Sequence, residues 1–214
     1  MNILIACDSI YYSQWAVNCL RSIKKHVPWM NVTAVIVNPV DIKEIPEINY
    51  VYDYVNFIND DSKVAYYQAV RFIKCAELFP NNELVMSIDC DTILTKDFLQ
   101  KDFENVCKNI HVQRHQKADR WMAGLVTYGN SNEFRLEFKN QLLSKPIETW
   151  EYGWDQRMLN LLSTKFKYSK LEIDDWMSFG KGNGTFLTLK GDQKTSPNHL
   201  NSYKIKLGDL YDQT

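Results

Sequence analysis

The sequence predicts an α/β domain with a mostly parallel central sheet, and three observations support this prediction. Apolar runs of strand length alternate with helical periodicities through the first half of the chain, which is typical of a parallel, right-handed α/β sheet. Hydrophobic residues make up 45% of the chain, aromatic ones included, which is enough to bury a sizeable core. The 214 residues contain no internal repeat and no convincing linker, so we interpret 1–214 as a single domain.

In the first half, each helix and strand is marked by a local signal. Residues 13–27 keep apolar side chains at helical spacing and stop before Pro28. Asp60, Asp61 and Ser62 offer N-caps for a helix that ends before Pro80. The predicted order is strand 3–7, helix 13–27, strand 32–37, strand 49–55, a helix from 60–62 to 79, and strand 84–88.

The second half is less regular. Thr95 is predicted to cap a helix that reaches residue 107. Asn130 and Glu133 are predicted to form a capping pair for a helix through residue 143. The remaining predictions are strands at 111–114, 125–128, 166–173 and 185–189, a helix at 154–162, and a flexible glycine-rich loop at 180–184.

Composition argues against several classes of function. The net charge of −1 argues against nucleic acid as the main partner, because such proteins usually need a basic face. The start Met1-Asn2-Ile3 lacks the basic lead of a signal peptide. No apolar run approaches the length of a membrane span, about 18 residues. The five cysteines lack CxxC spacing and have apolar neighbours, so free, buried thiols in a cytoplasmic protein are expected.

The strand predicted at 84–88 ends in Asp89-Cys90-Asp91, two carboxylates one residue apart. In open α/β sheets, ligands bind just outside the carboxyl ends of the strands. Two carboxylates there can hold a hard divalent cation, which can in turn hold a diphosphate. Without a cation they would repel each other, so removing one charge is expected to cost little stability. The alternative is an exposed acidic loop, and Cys90 is expected to point into the core.

Six short blocks follow one another along the chain. They are residues 2–8 followed by Tyr11 or Tyr12, residues 67–80 with Arg71, residues 87–94 with Asp89 and Asp91, residues 121–126 with Met122, Ala123 and Gly124, Trp154-Asp155-Gln156 with Asn160, and residues 189–194 with Gly191 and Lys194. Together they resemble the family 8 glycosyltransferases, the group that includes glycogenin and bacterial lipopolysaccharide galactosyltransferases. The resemblance spans most of the chain and implies a GT-A-like nucleotide-diphospho-sugar transferase fold.

The resemblance also implies an activity and a site. The activity is that of a metal-dependent hexosyltransferase, which moves a sugar from a UDP-sugar to a sugar, lipid-linked or protein acceptor with retention at the anomeric carbon. The implied cofactor is Mn²⁺ or Mg²⁺, bound by Asp89 and Asp91. Gln156, beside the anomeric carbon, and Asp155, on sugar or acceptor hydroxyls, are the implied catalytic residues. The implied nucleotide- and donor-binding residues are Ala6, Asp8, Tyr11, Arg71, Asp89, Cys90, Asp91, Gly124, Gly191 and Lys194.

Several of these residues also have a purely structural interpretation. Asp8 either accepts the imide N–H of uracil or caps a turn. Arg71 pairs with Asp89 or a phosphate, or else lies in a surface salt bridge. Asp155 caps its helix if it does not contact the sugar. Lys194 neutralises the leaving diphosphate or is an ordinary solvated lysine.

Two positions depart from the family pattern. Met122 stands where the family usually has Asn, which removes one expected sugar hydrogen bond, and Thr188 stands where it usually has a metal-binding His. These losses keep open a catalytically weak or inactive nucleotide-sugar or carbohydrate-binding protein. A nucleotidyltransferase on the same fold is the other alternative. Such enzymes normally have a glycine-rich, basic phosphate loop after the first strand, and Asp8-Ser9-Ile10-Tyr11 is not one.

Overall fold

The computed structural model describes residues 1–114, 120–171, 177–179, 184–189 and 191–210. In chain order the strands are β1 (Asn2–Asp8), β2 (Asn31–Val37), β3 (Asn49–Asp53), β4 (Val85–Ile88), β5 (Thr92–Leu94), β6 (His111–Arg114), β7 (Trp121–Thr127), β8 (Ser169–Leu171), β9 (Met177–Phe179) and β10 (Phe186–Thr188). The α-helices are α1 (Ser9–Tyr11), α2 (Val17–His26), α3 (Asp60–Leu78), α4 (Gln100–Cys107), α5 (Asn132–Leu142), α6 (Trp154–Leu162) and α7 (Pro197–Leu207). A π-helical turn, Tyr12–Ala16, joins α1 to α2, and 3-10 turns lie at Ile147–Thr149, Gly191–Lys194 and Gly208–Leu210.

The strands form two sheets within the described residues. The large sheet has seven strands in the order β3-β2-β1-β4-β7-β6-β8, and the small one has the order β5-β10-β9. In the large sheet β3, β2, β1 and β4 run parallel, as do β6 and β8, whereas β7 is antiparallel to both of its neighbours. The predicted mostly parallel α/β sheet is therefore confirmed.

Helices cover both faces of the large sheet, and this explains why its strands are continuous apolar runs. On one face Ile3 and Ile5 of β1 pack in a cluster with residues of α2 and α4. On the other face Leu4 and Ala6 pack in a cluster with residues of α3, α5 and α6. A strand that is buried on both faces has no polar side to alternate with, so β1 shows only apolar residues from Ile3 to Cys7.

Three predicted helix caps are wrong by a few residues. The side chain of Asn59, not one of residues 60–62, caps α3 by accepting from Ser62 N. Ser131 caps α5 by accepting from Glu133 N. Helix α4 starts after Leu99, and the Thr95 hydroxyl instead donates to the carbonyl of Gly184. Each sequence offers several adjacent polar residues that can cap, so the pattern alone does not select one.

Other boundaries shift because pairing between distant strands sets them. Strand β7 begins at Trp121 rather than at residue 125, and β8 covers only Ser169–Leu171 of the predicted 166–173. Residues 172–173, like 180–183 of the predicted glycine-rich loop, lie outside the described residues. All five cysteines are free and buried, as predicted. Among the residues that the structure describes, no helix is long and apolar enough to cross a membrane.

Candidate functional site

The predicted site residues meet at the carboxyl edge of the large sheet. Asp8 is the last residue of β1, and Asp89 follows β4 directly. Strands β1 and β4 are adjacent and parallel, so their carboxyl ends open on the same edge. The main chain fixes this corner, because Asp89 N donates to the carbonyl of Gly124 on β7 at 2.9 Å. Gly124 is thus placed beside the acidic motif.

Arg71 connects the acidic motif to the predicted catalytic helix. Its Nη1 lies 2.8 Å from Asp89 Oδ1, and its Nη2 donates to the carbonyl of Ala123 at 2.8 Å. The same Nη2 lies 4.0 Å from Asp155 Oδ2 on α6. Arg71 is only 4% exposed, so the surface salt bridge is not what the structure shows. Burial alone would lower its pKa, but Asp89 and Asp155 raise it overall, so the guanidinium stays charged.

Asp91 is held by a second basic residue and a hydroxyl. Lys194 Nζ lies 2.6 Å from Asp91 Oδ2, and Thr188 Oγ1 donates to Asp91 Oδ1 at 3.0 Å. Asp91 directly precedes β5, and Thr92 of β5 pairs with Thr188 of the antiparallel strand β10. The small sheet therefore brings Thr188 to Asp91 although the two residues are 97 positions apart.

Lys194 lies in a pocket of aromatic side chains at the same corner. Its ammonium donates to the Tyr11 hydroxyl at 3.1 Å and lies 4.7 Å from the centroid of the Tyr11 ring and 5.6 Å from that of Trp15. Burial lowers the pKa of Lys194, but the charge and hydrogen bond of Asp91 and the Tyr11 hydroxyl raise it overall. Lys194 is therefore a half-buried, charged residue of the site and not a solvated lysine.

A cleft of about 760 Å³ opens beside Asp8. Asp8 has a capping role, because its Oδ1 accepts from Tyr11 N at 2.7 Å, and Asp8 is also one of the residues that line the cleft. Tyr67 also lines the cleft. Burial together with the charge of Asp8 raises the pKa of Tyr67 to about 12. The lining residues are Asp8, Ser9, Ile10, Asn38, Val40, Val55, Asn56, Phe57, Ile58, Asn59, Asp60, Lys63 and Tyr67.

The two predicted catalytic residues lie in the first turn of α6. Gly153, with φ 75°, is the N-cap, so Asp155 does not cap the helix, although its Oδ1 accepts from Gln156 N at 2.7 Å. Asp155 is buried and faces Arg71, while Gln156 is half-buried. Asn160, one turn further, exchanges hydrogen bonds with the main chain of Trp121 on β7. These contacts fix α6 against the edge of the sheet that carries Asp89.

The remaining predicted donor-binding residues are placed around the same edge. Ala6 and Cys90 are buried, and Gly191 opens the 3-10 turn that ends in Lys194. A hydrogen bond with the Cys7 thiol, together with burial, raises the pKa of Cys90 well above its usual range, so this thiol stays protonated and unreactive. Cys90 therefore supplies packing beneath the two carboxylates.

The side chains of Asp89 and Asp91 fit a divalent cation in their chemistry. Carboxylate oxygens are ligands that Mg²⁺ and Mn²⁺ prefer. Among the described residues, however, no group of three or more His, Cys, Asp or Glu side chains is arranged to hold a metal ion. The position of the family His is taken by Thr188, whose hydroxyl is already bonded to Asp91. The two carboxylates would thus need phosphate oxygens and water to complete a coordination shell.

Sequence reasoning missed three contributors to this corner. Trp15 and Tyr67 read as ordinary helix residues, and the hydrogen bond from Thr188 to Asp91 joins residues 97 positions apart. The one sequence feature that pointed to this corner was Lys194, which follows Gly191 by three residues. It gave no indication of the aromatic side chains around it. Nothing in the local sequence of Trp15 indicates that it lies near residue 194.

The fold matches solved glycosyltransferase structures. The apo form of the glycosyltransferase GlyE from Streptococcus pneumoniae TIGR4 matches with a TM-score of 0.68 at 15% identity, over 99% of this chain and 61% of GlyE. An active-site glutamine-to-glutamate mutant of LgtC matches with a TM-score of 0.67 at 11% identity, over 100% of this chain and 96% of that one. The galactosyltransferase LgtC in complex with donor and acceptor sugar analogues matches with a TM-score of 0.63 at 13% identity, over 96% and 95% of the two chains.

These matches confirm the expected GT-A-like fold. No protein-family model matches the sequence, and no curated protein matches it. At identities of 11–15% the similarity establishes the fold alone. This chain spans nearly all of LgtC but only about three-fifths of GlyE.

Proposed function

We propose that the protein is a metal-dependent hexosyltransferase that moves a sugar from a UDP-sugar to a sugar, lipid-linked or protein acceptor with retention at the anomeric carbon. We further propose that residues 1–214 act as one domain, because the large sheet takes strands from both halves of the chain. The observation that carries the proposal is the position of the Asp8 cleft and the Asp89–Asp91 pair at the ends of neighbouring parallel strands. A cleft beside a pair of carboxylates suits a ligand with a nucleoside at one end and a diphosphate at the other.

The cleft is the proposed nucleoside site. Asp8 can accept the imide N–H of uracil with a carboxylate that also caps α1. Tyr67 and Phe57 supply aromatic surface beside it. The acidic corner at Asp89 and Asp91 then receives the diphosphate. A Mn²⁺ or Mg²⁺ ion bound there would stabilise the negative charge that develops on the departing nucleotide.

The sugar is proposed to lie between the acidic corner and α6. Arg71 holds Asp89 and faces Asp155, so it fixes the distance between the diphosphate and sugar ends of the site. Gln156, next to Asp155, is the proposed residue at the anomeric carbon. Lys194, whose ammonium lies at this corner, is the proposed residue that neutralises the leaving diphosphate. Retention follows from attack on the face that the nucleotide leaves, as the resemblance implies.

A thermal-shift measurement tests this proposal. A ligand that binds only the folded state raises stability by about 2.7 kcal/mol at a hundredfold excess over its Kd. UDP with Mn²⁺ should raise the melting temperature, whereas UDP with a chelator should raise it much less. Release of UDP from a panel of UDP-sugars should follow only with metal. Equal shifts with and without metal would contradict the metal role, and no shift with any nucleotide would contradict the donor class.

A catalytically inactive nucleotide-sugar or carbohydrate-binding protein is the second candidate. It is favoured by Met122, whose thioether is buried and cannot donate the hydrogen bonds of an amide to a sugar. The two candidates differ in one measurement. A binding protein would show the thermal shift with a UDP-sugar and release no UDP over a long incubation with any acceptor.

A further inference from the structure

Both carboxylate oxygens of Asp91 already have partners. Thr188 donates to Oδ1 at 3.0 Å, and Lys194 lies 2.6 Å from Oδ2. Asp91 is only 7% exposed, so this ion pair is well shielded from water. A divalent cation that binds Asp91 therefore has to share or replace the contact with Lys194.

We propose that Lys194 is an exchangeable internal cation, which neutralises Asp91 without donor and moves onto the diphosphate when metal and donor bind together. This inference rests on the proposed function, because it assigns a diphosphate to the same corner. Lys194 can make the exchange, since its ammonium is a compact charge on a flexible four-carbon stem. The rings of Tyr11 and Trp15 lie beside its present position, and their faces favour a cation at this corner.

The exchange couples the binding of metal to the binding of donor. Metal alone would leave the half-buried Lys194 ammonium without its carboxylate, which is unfavourable. Nucleotide alone would bring more negative charge to Asp89 and Asp91, while Lys194 still neutralises Asp91. When both bind, Lys194 keeps an anionic partner and the cation takes Asp91. Metal and UDP should therefore raise each other's affinity by the same factor.

Metal affinity measured directly tests this exchange apart from catalysis. The free Mn²⁺ signal in electron paramagnetic resonance gives the Kd of the full chain with and without UDP. For the wild type we expect weak Mn²⁺ binding alone and at least tenfold tighter binding with UDP. For Lys194→Met we expect at least tenfold tighter Mn²⁺ binding without UDP and a smaller coupling factor than in the wild type, because only the direct contact between metal and phosphate oxygens then remains. Lys194→Arg, which keeps the charge, should retain most of the coupling.

Lys24→Met is the matched control, because it also removes a lysine from an ion pair, with Glu47 at 3.1 Å, but neither residue of that pair is one of the proposed site residues. It should bind Mn²⁺ and UDP as the wild type does. Unchanged or weaker Mn²⁺ binding by folded Lys194→Met without nucleotide would overturn the exchange. If Lys194→Met does not fold, loss of coupling in Lys194→Arg would overturn it instead. Failure of UDP to bind wild type in any condition would contradict the proposed function, whereas the nucleotide-free Mn²⁺ affinities still decide the role of Lys194.

Discussion

Asp89 and Asp91 each face an internal cation, and this changes the stability expected of their variants. The sequence suggested two repelling carboxylates, so that the loss of one charge would cost little. Instead, Asp89 is paired with the buried Arg71 at 2.8 Å and Asp91 with Lys194 at 2.6 Å. Removing one member of a buried pair leaves the other charge uncompensated.

We predict that Asp89→Asn lowers the free energy of unfolding by about 3 kcal/mol, because Arg71 loses its closest carboxylate. Urea denaturation measures this loss. The matched control is Glu151→Gln, which breaks the exposed pair with Arg157 and should cost less than about 1 kcal/mol. Equal, small losses in both variants would show that Arg71 does not depend on Asp89.

The proposed nucleotide and sugar ends of the site can be tested separately by two substitutions. Asp8→Asn keeps an oxygen that can cap α1 but removes the charge, so it should weaken UDP binding with little loss of stability. Gln156→Ala should lower kcat with nearly unchanged affinity for UDP. Calorimetric titration with UDP and steady-state kinetics measure the two effects. Equal losses of UDP affinity would place Gln156 at the nucleotide end and contradict its assignment.

At the scale of single elements, strand β6 contains a residue, Gln113, that lowers the stability of the fold. Gln113 is fully buried, and among the described residues neither its amide nitrogen nor its oxygen has a hydrogen-bond partner. It lies just after an irregularity in the pairing with β7, opposite Met122. A buried amide without partners costs free energy that an apolar side chain of similar size does not.

Gln113→Leu should therefore raise the free energy of unfolding by about 1–2 kcal/mol. Thermal and urea unfolding both report the gain. Gln100→Leu, on the exposed first turn of α4, is the control and should stay within about 0.5 kcal/mol of wild type. A stability loss in Gln113→Leu would mean that the amide has partners in solution. A gain accompanied by lost activity would indicate that the amide contacts a ligand.

Helices α3 and α5 and strand β3 are joined by a small charge network. Glu77 of α3 pairs with Lys139 of α5 at 2.9 Å and with Lys74 at 3.2 Å, and Lys74 reaches Asp53 of β3. Burial raises the pKa of Glu77, but the hydrogen bonds from Lys139 and Lys74 lower it overall. A lowered folded-state pKa stabilises the protein above the unfolded value, about 4.3, and this stabilisation is lost as pH falls through the folded value.

Glu77→Gln should therefore be less stable than wild type at pH 7, by less than about 1 kcal/mol because the carboxyl is about one-third exposed. The difference should shrink as pH falls below about 4. Urea unfolding of both proteins at pH 7 and pH 3 measures it. A difference that grows at low pH would contradict the sign of this shift.

At the scale of the whole molecule, the first half of the fold was predictable and the second half only in part. Strands β1, β2 and β4 are buried on both faces, so their apolar runs stand out in the sequence. The reversal of β7 and the small sheet depend on partners far along the chain. The pairing of Thr92 with Thr188 leaves no local signal. Thus the sheet was foreseen as mostly parallel, but its antiparallel strand was not.

The site shows the same division between local and distant contacts. The position of Asp89 at a strand end followed from the apolar run before it. The structure was needed to show that Arg71 pairs with Asp89 and that Lys194 contacts Asp91. These partners are brought together by β7 and the small sheet. Sequence patterns named the candidate residues and offered Asp89 as one partner of Arg71, whereas the choice among the alternatives follows from tertiary structure.

The π-helical turn Tyr12–Ala16 makes the site sensitive to a change in chain length. A π-turn holds one residue more than an α-turn, and each residue of an α-helix advances the chain by about 100° around the axis. Deleting the exposed Ser13 would let α1 and α2 merge into a regular helix. Tyr11 would then swing by roughly that angle relative to Trp15. The extra residue of the π-turn thus sets the angle around the helix axis between Tyr11 and Trp15. A one-residue deletion here should therefore disturb the aromatic pocket around Lys194 more than most substitutions would.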